Sequence, residues 1–501
     1  MTEPLEHSTG PGDQLIVAID QGTSATKAIV VDRTGRIRSK ATAALTQSFP
    51  RPGWAEQDAL EIWDSVQQAV TDSLAGLDPA AVVAIGLSTQ RESTLLWDRA
   101  SGAPLGPVLG WQDTRGAALC ARLREAGQAE RVRAITGLPL DAMFSASKAA
   151  ALLDEHDPDR VRSRAGELCL GTVDSWMIWQ LGGGRHLIEA GNASRTMLLD
   201  IDAGQWDPWL LELFDIPAAV LPAVVASTGP FVTATALDAL PSPVPVTGVL
   251  GDSHAALIAH AGWQPGRVKV TYGTGSSVMG VTTGQHTPTG VARTIAWDLG
   301  TPTYALEGNI RSSGATLVWL ARLFNTTPAE IAASAADSSN GVTIVPAFTG
   351  LGAPWWDDQA QALISGLSEV TTRHHLARAG LESIAFQVED VIAAIATGED
   401  PIEVILADGG PSTNPVLMQV QADLSDRRVK TTSVSELSAL GAAHIAGLGI
   451  GLWSIADLED LPRNGVTYTS ALSQHQRRDK QSTWHAAINA AISLPRTSGA
   501  V

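Results

Sequence analysis

Two short segments far apart in the chain share the same punctuation. LIVAIDQGTSATKAIVVD, residues 15–32, and VKVTYGTGSSVMGVTTG, residues 268–284, each read as strand, polar glycine turn, strand. A glycine turn that returns at once to a strand makes a hairpin. That is unlike a dinucleotide-binding unit, where the first glycine loop opens a helix. Two explanations fit the repetition: ordinary α/β punctuation, or two related lobes that each present a hairpin to a shared cleft. A length of 501 residues favours two or more lobes over one enlarged core.

The segments between the hairpins alternate. Strands are expected at 15–20, 26–32, 82–88 and 93–97, rich in Val and Ile. Asp58 and Glu61 stand at capping-box spacing ahead of Ile62, Trp63, Val66, Val70 and Leu74, which recur on one helical face. The stretch from Ser227 to Thr247 carries Gly229, Pro230, Pro241, Pro243 and Pro245 and reads as a surface connection. Beyond it, VPVTGVLGDSHAALIAHAGW reads as strand, sharp turn, helix. A long helix is expected over His375–Ile395, a strand ending in a glycine turn over 402–410, and a helix from Asn414 to Leu424. ALGAAHIAGLGIG, residues 439–451, is a helix of small residues, suited to close approach by backbone or ligand, or simply to tight packing. The class is α/β.

Charge narrows the partners. The chain has 34 Lys+Arg against 52 Asp+Glu, a formal net charge of −18. Such a balance argues against a broad nucleic-acid face or an anionic membrane surface, both of which need excess cations. It leaves room for a local phosphate site built from backbone N–H groups and a metal ion. Cys120 and Cys169 form no disulfide framework or metal spacing. The N-terminal segment lacks the features of a signal peptide, and no apolar run reaches the roughly 20 residues a membrane span requires. A cytoplasmic protein is expected.

Several strand ends carry candidate chemistry. Asp20-Gln21-Gly22-Thr23 places a carboxylate suited to Mg²⁺, held through water, beside amides and a hydroxyl that can face a polyphosphate. The alternative is a plain turn joining strands, and no P-loop motif is present. In Gly251-Asp252-Ser253-His254, Asp252 can accept the proton of a hydroxyl attacking phosphorus, or can cap the following helix. His254 reads as a packing or hydrogen-bonding residue. Tyr272-Gly273-Thr274-Gly275-Ser276 and Gly409-Gly410 can leave backbone donors exposed, or can be ordinary hairpin glycines. Arg91-Glu92 can grip a hydroxylated substrate or form a surface ion pair. Trp54, Trp111 and Met143 can wall the carbon chain of a small substrate or belong to the core. Three glycine turns together with two strand-end aspartates point to phosphoryl transfer.

The assembled segments resemble the FGGY family of carbohydrate kinases, above all its glycerol kinase branch, over roughly residues 15–455. The resemblance is carried by IDQGTSATKAIVVD, GWAEQDALEIW, STQRESTLLWD, GWQDTRG, FSASK, GTVDSWMIWQLGGG and GNASRTMLLDIDAGQWD. It continues through GDSHAAL, YGTGSS, YALEGNIRSSGATLVWL, VPAFTGLGAPWWD, TRHHLARAGLESIAFQVEDV, ADGGPSTNPVLMQVQAD and LSALGAAHIAGLGIG. It implies a two-lobed actin-like ATPase (ribonuclease H-like) fold with a central cleft. A flexible tail at 1–14 would precede an N-terminal lobe at 15–250 and a C-terminal lobe at 251–501. It implies ATP and Mg²⁺, with Asp252 as general base and Asp20 on the metal. Thr23, Ser24, Lys27, Thr274, Gly314, Gly410 and Asn414 would meet ATP, and lobe closure would expel water. A homodimer or homotetramer is expected on the same ground.

The acceptor site departs from the glycerol kinase pattern. Arg91, Glu92, Trp111 and Asp252 match it. Met143 replaces the usual tyrosine before the Phe-Ser segment, Ser253 the usual Gln after the catalytic Asp, and Ser277 an aromatic residue after the glycine turn; Val318 replaces a nucleotide-side Gln. Shorter groups imply a roomier pocket and weaker discrimination for glycerol. The substrate is a small polyol or sugar, with xylulose or another pentulose, or a tetritol or pentitol, as alternatives to glycerol. A non-catalytic nucleotide- and sugar-binding sensor is the contrasting class.

Overall fold

The computed structural model describes residues 14–264, 266–284, 286–396 and 401–494. Of the expected tail 1–14, all but Gln14 lies outside the described residues. The described residues form two compact units, one of 14–261, 293–304 and 436–462, the other drawn from 262–292, 305–435 and 463–494.

The first unit is built on a six-stranded sheet: β1 (Leu15–Gln21), β2 (Ala25–Asp32), β3 (Ile37–Ala44), β4 (Val82–Thr89), β5 (Thr228–Ala234) and β6 (Val244–Gly251), in the order β5-β6-β4-β1-β2-β3. The first hairpin is as expected, with β1 antiparallel to β2 from Leu15↔Asp32 to Gln21↔Thr26. β4 lies parallel to both β1 and β6. Ile16 through Ile19 are all buried, which is why β1 reads as an unbroken apolar run and not as an alternation.

Leu15, Val17 and Ile19 share a core with Ile62, Val66 and Val70 of the helix Ala59–Ser73. Asp58 caps that helix through Leu60 N and Glu61 N. The reciprocal half of the expected capping box is absent, because the Glu61 carboxylate accepts the Thr46 amide at 2.8 Å.

The helix of small residues runs Leu437–Gly449 and packs against β1, β4 and β6. Tight backbone packing accounts for its composition. A Cβ at Gly86 would lie 2.1 Å from Ala442 O, and one at Gly441 would lie 1.8 Å from Ala255 O. By its internal contacts the first compact unit runs on through the helix Asp252–Ala259 and includes 436–462, whose helix covers β1, β4 and β6.

The expected surface connection at Ser227–Thr247 is corrected. Thr228–Ala234 is the edge strand β5, paired antiparallel with β6 through Val232↔Val246 and Thr233↔Pro245. Pro230 lies on this edge strand, where the register shifts between Thr228 and Val232 and a missing N–H leaves no ladder partner unsatisfied.

The second unit repeats the logic. Its sheet contains β7 (Arg267–Tyr272), β8 (Ser276–Thr282), β9 (Pro302–Ile310), β10 (Val404–Asp408), β11 (Arg428–Thr431) and β12 (Thr467–Tyr468), in the order β9-β8-β7-β10-β11-β12. The hairpin β7–β8 is antiparallel and β7 runs parallel to β10, matching the relation of β1 to β2 and β4. The long helix Arg373–Ile395 supplies Leu381, Ile384, Val388 and Val391 to this core.

Candidate active site

In the first unit, β1, β4 and β6 are parallel and end side by side, so Asp20, the Gln90–Glu92 turn and Asp252 emerge at one edge. Asp20 accepts a hydrogen bond from Ser88 Oγ on β4 at 2.9 Å and faces Lys27 in the β1–β2 register. Burial and the neighbouring Asp252 charge push the Asp20 carboxyl up to about 6, against the pull of Ser88 and Lys27. The two strand-end aspartates therefore share one electrostatic neighbourhood.

Gly251 is the N-cap of Asp252–Ala259, so Asp252 is the first helical residue and not the cap. Its Oδ1 accepts the Ser253 amide at 2.6 Å and lies 3.4 Å from Arg91 Nε. The Asp252 side chain remains 41% exposed. Arg91 is buried, with Nη1 3.4 Å from His254 Nε2. This places His254 in the supporting role expected for it. A Cβ at Gly251 would stand 2.6 Å from Arg91 Cγ and Cδ, so the glycine makes room for the guanidinium stem.

Glu92 is buried and adopts φ 61°, a left-handed conformation uncommon for a non-glycine residue. Arg195 Nε donates to its Oε1 at 2.6 Å, and Ser145 Oγ donates to its carbonyl at 3.0 Å. Strain of this kind persists where surrounding contacts over-determine it, as they do at functional sites. Arg91-Glu92 is thus no surface ion pair: both residues are buried, and each is held by a different partner.

The Trp111 indole donates to Thr23 Oγ1 at 3.1 Å, tying an expected acceptor-site residue to an expected nucleotide residue. Trp54 lies between Arg51 and Arg115, whose guanidinium carbons stand 4.6 and 3.8 Å from its ring centroid. Ser24 is exposed, while Lys27, Met143 and Ser253 are half-buried.

The second unit gathers the remaining glycine turns. Gly314 opens the helix Gly314–Leu323, and a Cβ there would lie 2.6 Å from Gly273 O and 3.6 Å from Pro411 Cγ. Thr274, Gly314 and Gly410 therefore stand on adjoining loops. The Gly314 amide donates to Gly273 O at 2.9 Å, which ties this helix start to the Thr274 turn. Thr274 is exposed, and its carbonyl accepts from Ser313 N and Ala315 N. Gly410 has open space where a side chain would project, so a ligand can approach its backbone. Gly409, at φ 84°, must be glycine, because a Cβ would meet Tyr272 O at 2.0 Å.

Asn414 caps the helix Pro415–Ser425 through Val416 N and Leu417 N, which engages its carbonyl oxygen and leaves its amide hydrogens for a ligand. Ser277 Oγ donates to buried Glu307 Oε1 at 3.1 Å. Val318 is 39% exposed.

Sequence reasoning missed Ser88, Arg195, Lys148 and Glu307. Arg195 and Lys148 are charges inside otherwise small or apolar segments, GNASRT and FSASK, and that mismatch was the available signal. Among the described residues, no three His, Cys, Asp or Glu side chains converge to hold a metal ion. This fits Mg²⁺ held through water by one carboxylate and by nucleotide phosphates, the manner usual for this ion.

The N-terminal domain model of the FGGY family of carbohydrate kinases matches residues 15–259, and its C-terminal domain model matches residues 268–450. A glycerol kinase of Aromatoleum aromaticum is 44% identical, with 95% of this chain and 98% of that protein covered. An apulose kinase of Pectobacterium atrosepticum is 42% identical, with 95% and 97% covered. Among solved structures, the ADP complex of Plasmodium falciparum glycerol kinase superposes with a TM-score of 0.91 at 30% identity, covering 97% of this chain and all of that one. These likenesses join a phosphoryl-transfer geometry to a known lineage: the chain belongs to the FGGY family of carbohydrate kinases, two-domain actin-like phosphotransferases that use ATP and Mg²⁺ and take an alcohol group as acceptor.

Proposed function

We propose that the acceptor is a small polyol or ketose held by Arg91, Glu92 and Trp111 and deprotonated by Asp252. The observation that carries this reading is the Asp252 carboxylate. It is held by Arg91 and the Ser253 amide yet is 41% exposed, at the same strand ends as Asp20. As the acceptor oxygen bonds to the γ-phosphorus, its proton passes to Asp252 and the bond to the β–γ bridging oxygen breaks, releasing ADP. Phosphoryl transfer asks mostly for positioning, so a well-placed carboxylate suffices. Thr23, Ser24, Lys27, Thr274, Gly410 and Asn414 are assigned to ATP. Gly314 belongs to the same assignment, with its amide engaged by Gly273 O. Mg²⁺ bound near Asp20 would neutralise charge on the phosphate oxygens.

The substitutions Met143, Ser253 and Ser277 favour an acceptor larger than glycerol. The Ser277 hydroxyl already engages a buried carboxylate, so this position offers polar groups where glycerol kinases carry a ring. Relatives named glycerol kinase and apulose kinase at similar identity support keeping both a triol and a ketose in view. The test is ADP release across glycerol, erythritol, xylitol, ribitol, xylulose, ribulose and gluconate. A tetritol, pentitol or pentulose is expected to exceed glycerol in kcat/KM by about tenfold, the worth of one or two hydrogen bonds. Glycerol alone as acceptor would reject the enlarged pocket, and ATP binding with no product would favour a sensor. A cytoplasmic homodimer or homotetramer belongs to the same proposal, resting on resemblance to the glycerol kinase branch. No helix among the described residues is long and apolar enough to cross a membrane.

Asp20 gives a pH signature. Its carboxyl is raised from 3.8 to about 6, so the folded chain holds this proton more tightly than the unfolded chain does. The group's contribution to stability is therefore greatest in acid and is lost as pH rises through about 6. Function runs the other way, since only the carboxylate can hold the metal. The KM for MgATP is expected to rise as pH falls below about 6, and Asp20→Asn should abolish that dependence. A KM unchanged between about pH 5 and about pH 8 in the unsubstituted protein would contradict the assignment.

A further inference from the structure

Lys148 lies in the helix Ser145–His156, fully buried. Its Nζ donates to three consecutive carbonyls, Ala142 O at 3.1 Å, Met143 O, and Phe144 O at 3.1 Å. An ammonium has three protons and no acceptor capacity, so this cage uses the whole group and leaves nothing to touch a ligand. Burying the charge is costly unless every proton is matched. Three carbonyls turned toward one cation mean that the chain curls around it. The helix has no side-chain cap at Phe144, and Lys148 fastens its entry from within.

The curled segment is tied to the acceptor residues at two points. Ser145 Oγ donates to Glu92 O, and Arg195, which holds the Glu92 carboxylate, lies 5.1 Å from the Phe144 ring centroid. Met143 itself is half-buried, its amide donating to Asp141 Oδ1 at 2.9 Å. Glu92, Asp113, Asp141 and Cys120 are the titratable groups whose fields reach Lys148. Burial nonetheless pushes the ammonium down to about 8.

We propose that Lys148 is a positioning residue that sets acceptor selectivity, fixing the Ala142–Phe144 backbone and thereby where Met143 bounds the pocket. This rests on the reading that Met143 lines the acceptor site. Lys148→Met in the full chain is expected to raise the acceptor KM about tenfold, with kcat and the MgATP KM within about threefold. The kcat/KM ratio between the best acceptor and the polyol one carbon longer should shrink about fivefold, with Lys148→Arg intermediate. Hydrogen exchange of the 141–146 amides should accelerate about tenfold while the β1 amides keep their protection.

A folded Lys148→Met variant with unchanged acceptor KM, unchanged selectivity and unchanged exchange would overturn the proposal. If that variant does not fold, Lys148→Arg is judged by the same measures. Met143→Ala separates the two readings. If it leaves selectivity untouched while Lys148→Met alters it, the pocket assignment of Met143 fails. If both shift selectivity in the same direction, both readings stand.

Discussion

Asp252→Asn is expected to lower kcat by about 10²–10⁴-fold, the range general-base catalysis contributes, while the MgATP KM stays within about twofold. The fold should tolerate the change. The Asn side-chain oxygen can still accept the Ser253 amide, the contact that Asp252 Oδ1 makes at 2.6 Å, and Gly251 is the helix N-cap. What is lost is the carboxylate assigned to take the acceptor proton. A second effect accompanies it. The Asp252 charge is one of the two causes that raise the Asp20 carboxyl, so the acid limb of the MgATP KM should move to lower pH. Steady-state kinetics at several pH values read both effects in one variant. Turnover within about threefold of the unsubstituted chain would remove Asp252 from the mechanism.

Gly441→Ala is expected to destabilise the first unit by about 3 kcal/mol or more, the upper range for overpacking, because the obstruction is backbone. An added Cβ would lie 1.8 Å from Ala255 O and 2.4 Å from Ala255 C, and neither atom can rotate away. Relief requires the helices Leu437–Gly449 and Asp252–Ala259 to separate. Asp252 rides on the second of these, and Ser438 Oγ on the first donates to its carbonyl at 3.1 Å. Turnover should therefore fall together with stability. Urea unfolding and kcat measured side by side check this. A midpoint and a turnover both unchanged would mean that the helices do not meet this closely.

The small-residue helix shows what the sequence disclosed and where it stopped. Its composition announced a close approach, and the approach is real, but composition could not say which backbone comes near. That backbone is β4, β6 and the Asp252 helix, so 436–462 belongs with the first compact unit although it lies far along the chain. The β1–β2 hairpin and its β7–β8 counterpart were legible because Val/Ile runs broken by a polar glycine turn have few other solutions. Ser227–Thr247 was not, because proline marks an edge strand and a loop alike until the sheet order is known.

The site divides along the same line. Asp20, Asp252, Arg91 and Glu92 could be named because strand ends and polar turns expose them. Arg195 and Lys148 stood out only as charges in segments of small residues, and their roles could not be named, since what a buried charge does is read from its partners. Those partners, Glu92 for Arg195 and the carbonyls of Ala142–Phe144 for Lys148, are 103 and four to six residues away. Gly314 was assigned to ATP on its resemblance, and its amide is engaged by Gly273 O, a partner the motif does not disclose. A motif carries residue identity more reliably than the direction of each donor.

The most direct test is product analysis by phosphorus NMR of the unsubstituted protein with ATP, Mg²⁺ and each candidate polyol or ketose. The expected result is one new phosphomonoester per ADP formed, dependent on Mg²⁺ and on the acceptor, and lost in Asp252→Asn. ADP accumulating with inorganic phosphate alone, or no turnover with any hydroxylated compound, would contradict phosphoryl transfer to a small polyol or sugar.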